Sequence, residues 1–209
     1  MSQPLLTASA SDTDTVLDAA AACYVRLGVA RTTAADVARA AGISRATLYR
    51  RFGSHEAIFL AVLTRESEAM ARDAEHHLVS VDDPSQRIVE GMLFSIAEVR
   101  RRPVHAALFT SDDAAWAANR ALRAAALRRI AEDAIRPAIA RATGSRLSAR
   151  ATDDLVDWIL RLLVSFAAVP GPNGADPEDV RRRLTTLLVP AVNALLSRTP
   201  PDATIGGAR

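Results

Sequence analysis

The 209 residues are 49% hydrophobic but only 4% aromatic, which supports a sizeable core of Ala, Leu and Val and favours helix over sheet. A formal net charge of +2 excludes a general polyanion binder, so any nucleic-acid signal must be local. Every basic residue is arginine, so only the placement of the arginines is informative. The single cysteine, Cys23, excludes an internal disulfide and fits a reducing compartment. The polar start lacks the basic and apolar stretches of a signal peptide. The most apolar region, Leu155 to Val169, is interrupted by Asp157 and Arg161 and is too short to span a bilayer. A cytoplasmic protein with no membrane partner is expected.

Residues 1–11 and 199–209 read as loose tails; the second carries Pro200, Pro201, Gly206 and Gly207. Between them the chain reads as all-α. A helix is predicted from Asp14 to Leu27, with Val16, Ala19, Ala20, Cys23 and Leu27 at helical spacing and Gly28 as its stop. Thr33 opens a second, with Asp36 completing a capping box, and Gly42 ends it. Ser44 caps a third that ends near Phe52, and Ser54 caps a fourth that reaches His77. Pro84 starts a fifth helix through Arg102, and Pro103 a short sixth. A long stretch follows from Asp113 to Ala142, with Pro137 marking a kink or an end. Leu155 to Val169 forms the next helix, closed by the turn Pro170-Gly171-Pro172-Asn173-Gly174, and Pro177 to Ser197 the last.

The segment from Thr32 to Phe52 carries the functional signal. Two short capped helices flank Ala41-Gly42-Ile43, where Gly42 supplies the positive φ of a tight turn. Val37, Ala38 and Ala41 line the inner face of one helix, Leu48 and Phe52 that of the other, and the small alanines allow a close crossing. This is helix-turn-helix patterning. No acidic residue occurs from Val37 to His55, while Arg39, Arg45, Arg50 and Arg51 fall inside that window. Arg45 occupies the first turn of the second helix, where base edges are read; Thr47 can meet a thymine methyl or a phosphate. Tyr49, Arg50 and Arg51, and the capped helix starts after Thr33 and Ser54, suit phosphate oxygens.

These residues resemble the TetR family of regulators. The resemblance rests on Thr32-Thr33, Val37-Ala38, Ala41-Gly42-Ile43-Ser44, Leu48-Tyr49 and Phe52, and it covers Val16 to Leu63 without a gap. Arg51 stands where the family has His or Tyr, and His55 where it has Lys; Asp12 and Asp14 replace its basic start. His55 is expected beside a phosphate, with its pKa raised by the anion in the DNA complex. The resemblance implies a homodimeric regulator of palindromic double-stranded DNA, most often a repressor, released by a small-molecule effector. The implied division is a helix-turn-helix domain over 12–58 and a helical ligand-binding and dimerisation domain over 59–198. The alternative is an effector-independent architectural DNA binder, which would have no pocket.

Two apolar seams run along the helix from Leu155, and the last helix is equally apolar, more surface than a monomer is expected to cover. The expected dimer interface is Leu155, Ile159, Leu162, Leu184, Leu188 and Val192. Met92, Ile96, Phe109, Trp116 and Phe166 are candidate pocket linings, because the family holds its ligand among these helices. His76, His77 and His105 lack metal-ligand spacing. No nucleophile elbow, phosphate loop or dinucleotide fingerprint occurs. No catalytic role, metal or cofactor is expected.

Overall fold

A computed structural model describes residues 10–109, 114–143, 147–168 and 176–197. Every regular element among them is helical: α1 (Ala10–Leu27), α2 (Ala34–Ala40), α3 (Arg45–Phe52), α4 (His55–His77), α5 (Pro84–Arg101), α6 (Pro103–Phe109), α7 (Ala114–Arg123), α8 (Ala125–Thr143), α9 (Ala149–Ala168), α10 (Pro177–Arg183) and α11 (Val189–Leu196). The predicted caps at Thr33, Ser44 and Ser54 are formed, each side chain accepting from a backbone N–H in the first turn. Such caps are worth about 1 kcal/mol each, enough to fix the start of a seven- or eight-residue helix. Asp83 and Asp176 cap α5 and α10 ahead of the prolines that open them.

Three element boundaries differ from expectation. α1 starts at Ala10, a turn earlier than Asp14. The long stretch breaks at Ala124, which separates α7 from α8, while Pro137 lies inside α8. Ala124 is buried against the first core, so packing rather than a sequence breaker places the bend. α9 starts at Ala149, ahead of Leu155. Between α10 and α11 the last helix widens into a π-helical segment, Leu184–Leu188. Pro190 has no N–H and would crowd the carbonyl four residues earlier, which a wider turn relieves. The predicted turn over Pro170–Gly174 lies outside the described residues, as do most of the two predicted tails.

Two apolar clusters hold the molecule together. The first joins α1–α4 to α6, α7 and α8 through Val16, Tyr24, Val37, Leu48, Phe59, Leu108 and their neighbours. The second joins α5, α8, α9 and the last helix through Ile88, Ile139, Leu155, Val156, Leu184 and Leu188. Phe59, Val62 and Leu63 belong to the same cluster as the first three helices. The expected boundary at 58/59 is therefore crossed by continuous packing, with α1 seated directly on α6. No helix among the described residues is long and apolar enough to cross a membrane.

Candidate nucleic-acid interface and internal cavity

The basic end is built from α1 to α3. Gly42 takes a φ of 67° in the turn between α2 and α3. Val37 and Ala38 of α2 and Leu48 of α3 are buried, with Ala41 and Phe52 packed against the same cluster. Burying that stripe leaves Arg45, Tyr49 and Arg50 exposed. The Ser44 hydroxyl accepts from the Thr47 N–H and donates to the Thr47 hydroxyl, both at 3.0 Å, which fixes the first turn of α3. Thr33 accepts from the Asp36 N–H at 3.2 Å and donates to the Asp36 carboxylate at 2.6 Å. Arg39 is tied to the same carboxylate at 3.2 Å. Arg45 and Arg50 have no ion pair among the described residues.

Arg51 is placed differently. Its side chain turns toward α1, donating to the Asp12 carbonyl at 3.1 Å and lying 3.4 Å from the Asp12 carboxylate. Farther along, Arg65 of α4 pairs with Asp18 of α1 at 2.9 Å. The acidic start of α1 thus clamps that helix to α3 and α4.

His55 packs against α1. It opens α4 with its ring against the edge of Tyr24, the centroids 6.1 Å apart, and Nε2 is buried without a hydrogen-bond partner. In the chain without DNA, burial pushes its pKa below the usual histidine value. The next residue, Glu56, pairs with Arg120 of α7 at 3.3 Å. The Arg120 guanidinium lies 3.9 Å over the Trp116 ring, which meets Phe59 of α4 edge-on at 4.8 Å.

A cavity of about 180 Å³ lies among α4 to α9. Met92 and Phe109, two of the five candidate linings, face it. The other three do not line it: Trp116 wedges between α7 and α4, Ile96 is buried in the second cluster, and Phe166 packs against that cluster. Sequence reasoning missed Ser67 and His105, which lie among the residues around it. His105 is 1% exposed, its Nε2 lies 3.5 Å from the Ser67 hydroxyl, and its Nδ1 has no partner. Burial first, and then the Arg102 charge, push its pKa down to about 4, against the opposing pull of Glu98. A lone histidine two residues after Pro103 was its only trace in the sequence.

The expected dimer residues are also relocated. Leu155, Ile159, Leu184, Leu188 and Val192 are between 1% and 6% exposed within a single chain, where they form the second cluster. α5 and α8 cover these seams within the chain. Leu162 is half-buried. Among the described residues, the exposed large apolar side chains of these helices are Trp158, 39% exposed, and Leu187, 69% exposed.

Comparison with known proteins places these features in a family. Residues 16–62 match the model of bacterial regulatory proteins of the tetR family. An uncharacterized HTH-type transcriptional regulator of Mycobacterium tuberculosis is 30% identical over 185 residues, covering 86% of this chain and 84% of the relative. The TetR family repressor AlkX from a Dietzia strain, implicated in n-alkane biodegradation, superposes with a TM-score of 0.63 at 25% identity over 88% of this chain and 96% of its own. RolR, crystallised with resorcinol, shares the fold with a TM-score of 0.63 at 15% identity over 92% and 96% of the two chains.

Proposed function

Because the chain belongs to the TetR family of bacterial transcriptional regulators, we propose that it is a homodimeric repressor that leaves a palindromic operator when a small molecule fills its cavity. The observation that carries this reading is the path of α4. That helix begins beside the exposed face of α3, and farther along it contributes Leu63, Ser67 and Met70 to the cavity wall. A ligand that favours one placement of α4 thereby favours one spacing of the two reading heads. An architectural DNA binder would have no use for such a cavity.

In this reading α3 enters the major groove. Arg45 and Thr47 meet base edges; Tyr49, Arg50 and the amides at the capped starts of α2 and α4, after Thr33 and Ser54, meet phosphates; Ser44 holds the first turn. Arg51 reaches phosphate while still linked to Asp12. The dimer contact uses the outward side chains of α9 and the last helix, Trp158 and Leu187 among them, with half-buried Leu162 at its edge.

The test is a selection of bound duplexes from a random pool, followed by anisotropy titration of the winning site and a screen of small molecules for release. A palindromic site with half-sites one helical turn apart, bound by two chains and released by a ligand, is the expected outcome. Binding with no sequence preference, or no release by any ligand that enters the cavity, overturns it.

A further inference from the structure

The cavity is lined mainly by Leu, Ile, Val, Met and Ala side chains, and among the described residues Arg87 of α5 is the one around it that is charged at neutral pH. His105 is held neutral there by burial and by the Arg102 charge. Arg87 is half-buried, and its Nη1 donates to the carbonyls of Leu78 and Val81, just beyond the end of α4. Leu78, which receives one of those bonds, also lines the cavity, as do Ile88 and Gly91 of α5. The guanidinium is thereby pinned where α4 ends against α5, at the border of the cavity.

Capping the end of α4 occupies only part of this guanidinium. Nε and Nη2 bond nothing among the described residues. These two atoms form the side edge of the fork, whose parallel N–H groups match the two oxygens of a carboxylate. No acidic side chain among the described residues takes that edge. Asp83 accepts from the Gln86 N–H at 2.7 Å, and Glu90 pairs with Arg181.

An arginine without a counter-ion beside an apolar wall selects by charge. A cationic ligand is repelled, and an uncharged amphiphile gains only burial of its hydrocarbon. A carboxylate gains the same burial and two charge-assisted hydrogen bonds. Because Arg87 is half-buried, the anion keeps part of its hydration, which lowers the desolvation cost of the pair. One guanidinium balances one negative charge. A phosphate monoester, close to doubly charged near neutral pH, would bring an excess charge to the hydrocarbon wall.

Resting on the reading that this cavity holds the effector, we propose that the effector is a singly charged amphiphilic carboxylate, its head group on the Nε–Nη2 edge of Arg87 and its hydrocarbon body against the apolar wall. Arg87 is then the residue that selects the charge of the ligand, while the alkyl-lined wall selects only for an apolar body.

The test is calorimetric titration of the full-length protein without DNA, using probes that share a body and differ in the head: octanoate, 1-octanol, octylammonium and octyl phosphate, and phenylacetate against 2-phenylethanol. In at least one of the two bodies the carboxylate is expected to bind about ten-fold tighter than its alcohol, with the ammonium and the phosphate weaker than the carboxylate. Arg87→Gln should erase the preference for carboxylate over alcohol, and Arg87→Lys, a cation without the fork, should keep part of it. The arginine Nε–H resonance of Arg87 should shift with the carboxylate and not with the alcohol, a readout on the native protein that needs no variant to fold. Carboxylates that bind no tighter than their alcohols in both series, or do not bind, overturn the proposal. So does an Arg87→Gln variant that weakens carboxylate and alcohol equally, which would leave Arg87 as a cap of α4 alone. The two readings fail separately. A carboxylate that binds at Arg87 without releasing the operator sinks induction and keeps the ligand class. Release by an uncharged or cationic compound, with the carboxylates inert, sinks the ligand class and keeps induction.

Discussion

Arg45 and Arg51 sit on the same short helix, yet the chain treats their charges differently. Among the described residues Arg45 has no acidic partner, so DNA can take its whole fork; Arg51 is already held by Asp12. Arg45→Ala is expected to relax base preference at one or two positions per half-site, costing about 1–3 kcal/mol if the contact is bidentate to guanine. Asp12→Asn should act oppositely, tightening binding to all duplexes alike and steepening the salt dependence, since it removes an anion from the phosphate-facing surface. Anisotropy titrations on matched and mismatched sites at several salt concentrations separate the two effects. His105 gives a prediction for pH. Its folded pKa of about 4 lies below the unfolded value of 6.5, so between those values the unfolded chain binds more protons and stability rises with pH. The contribution is complete above about 6.5 and is lost as pH falls toward 4, a swing of about 3 kcal/mol at roughly 1.4 kcal/mol per unit. The groups facing the ring are Ser67, Glu98 and Arg102. Urea unfolding of the native protein should lose more stability between pH 7.5 and 4.5 than that of His105→Gln; equal slopes would assign the effect elsewhere.

At the scale of elements, α4 and α7 meet through side chains that have no local sequence signature. Arg120 pairs with Glu56 and stacks on Trp116, and Trp116 in turn packs on Phe59. The ion pair is partly exposed and is worth little alone, while the stacked guanidinium adds about 0.5–1 kcal/mol. Arg120→Ala should therefore lower thermal stability by about 1 kcal/mol, and Glu56→Ala by less. Melting curves of the two single variants and the double variant measure the coupling. If the stack dominates, the double variant will melt close to Arg120→Ala.

At the scale of the molecule, exposure separates residues that hold the fold from residues that could hold a second chain. Leu184 is buried within the chain and Leu187, three residues on, is 69% exposed. Leu187→Arg is expected to give a folded monomer with weakened operator binding. Leu184→Ala is expected to cost about 2–5 kcal/mol of stability through the cavity it leaves, without a specific effect on association. Sedimentation velocity combined with denaturant unfolding distinguishes these outcomes: a Leu187→Arg variant that remains dimeric would move the interface elsewhere.

The helix-turn-helix was legible because its determinants are local. Caps at Thr33, Ser44 and Ser54, the positive φ at Gly42 and the acid-free window each act within a few residues, where spacing fixes geometry. The all-helical class followed for the same reason, from period and composition. Long-range packing decided the rest. The apolar seams of α9 showed that Leu155 and Ile159 must be buried, but not whether α5 and α8 or a second chain would bury them. Likewise, nothing near His55 in the sequence reveals Tyr24, thirty-one residues earlier, against whose ring it packs. Nor does Pro103 reveal that His105 will be buried with its Nε2 3.5 Å from the Ser67 hydroxyl. Periodicity specifies that a face is covered, whereas the identity of its cover, and with it the protonation and function of the side chains beneath, is settled only when the helices pack.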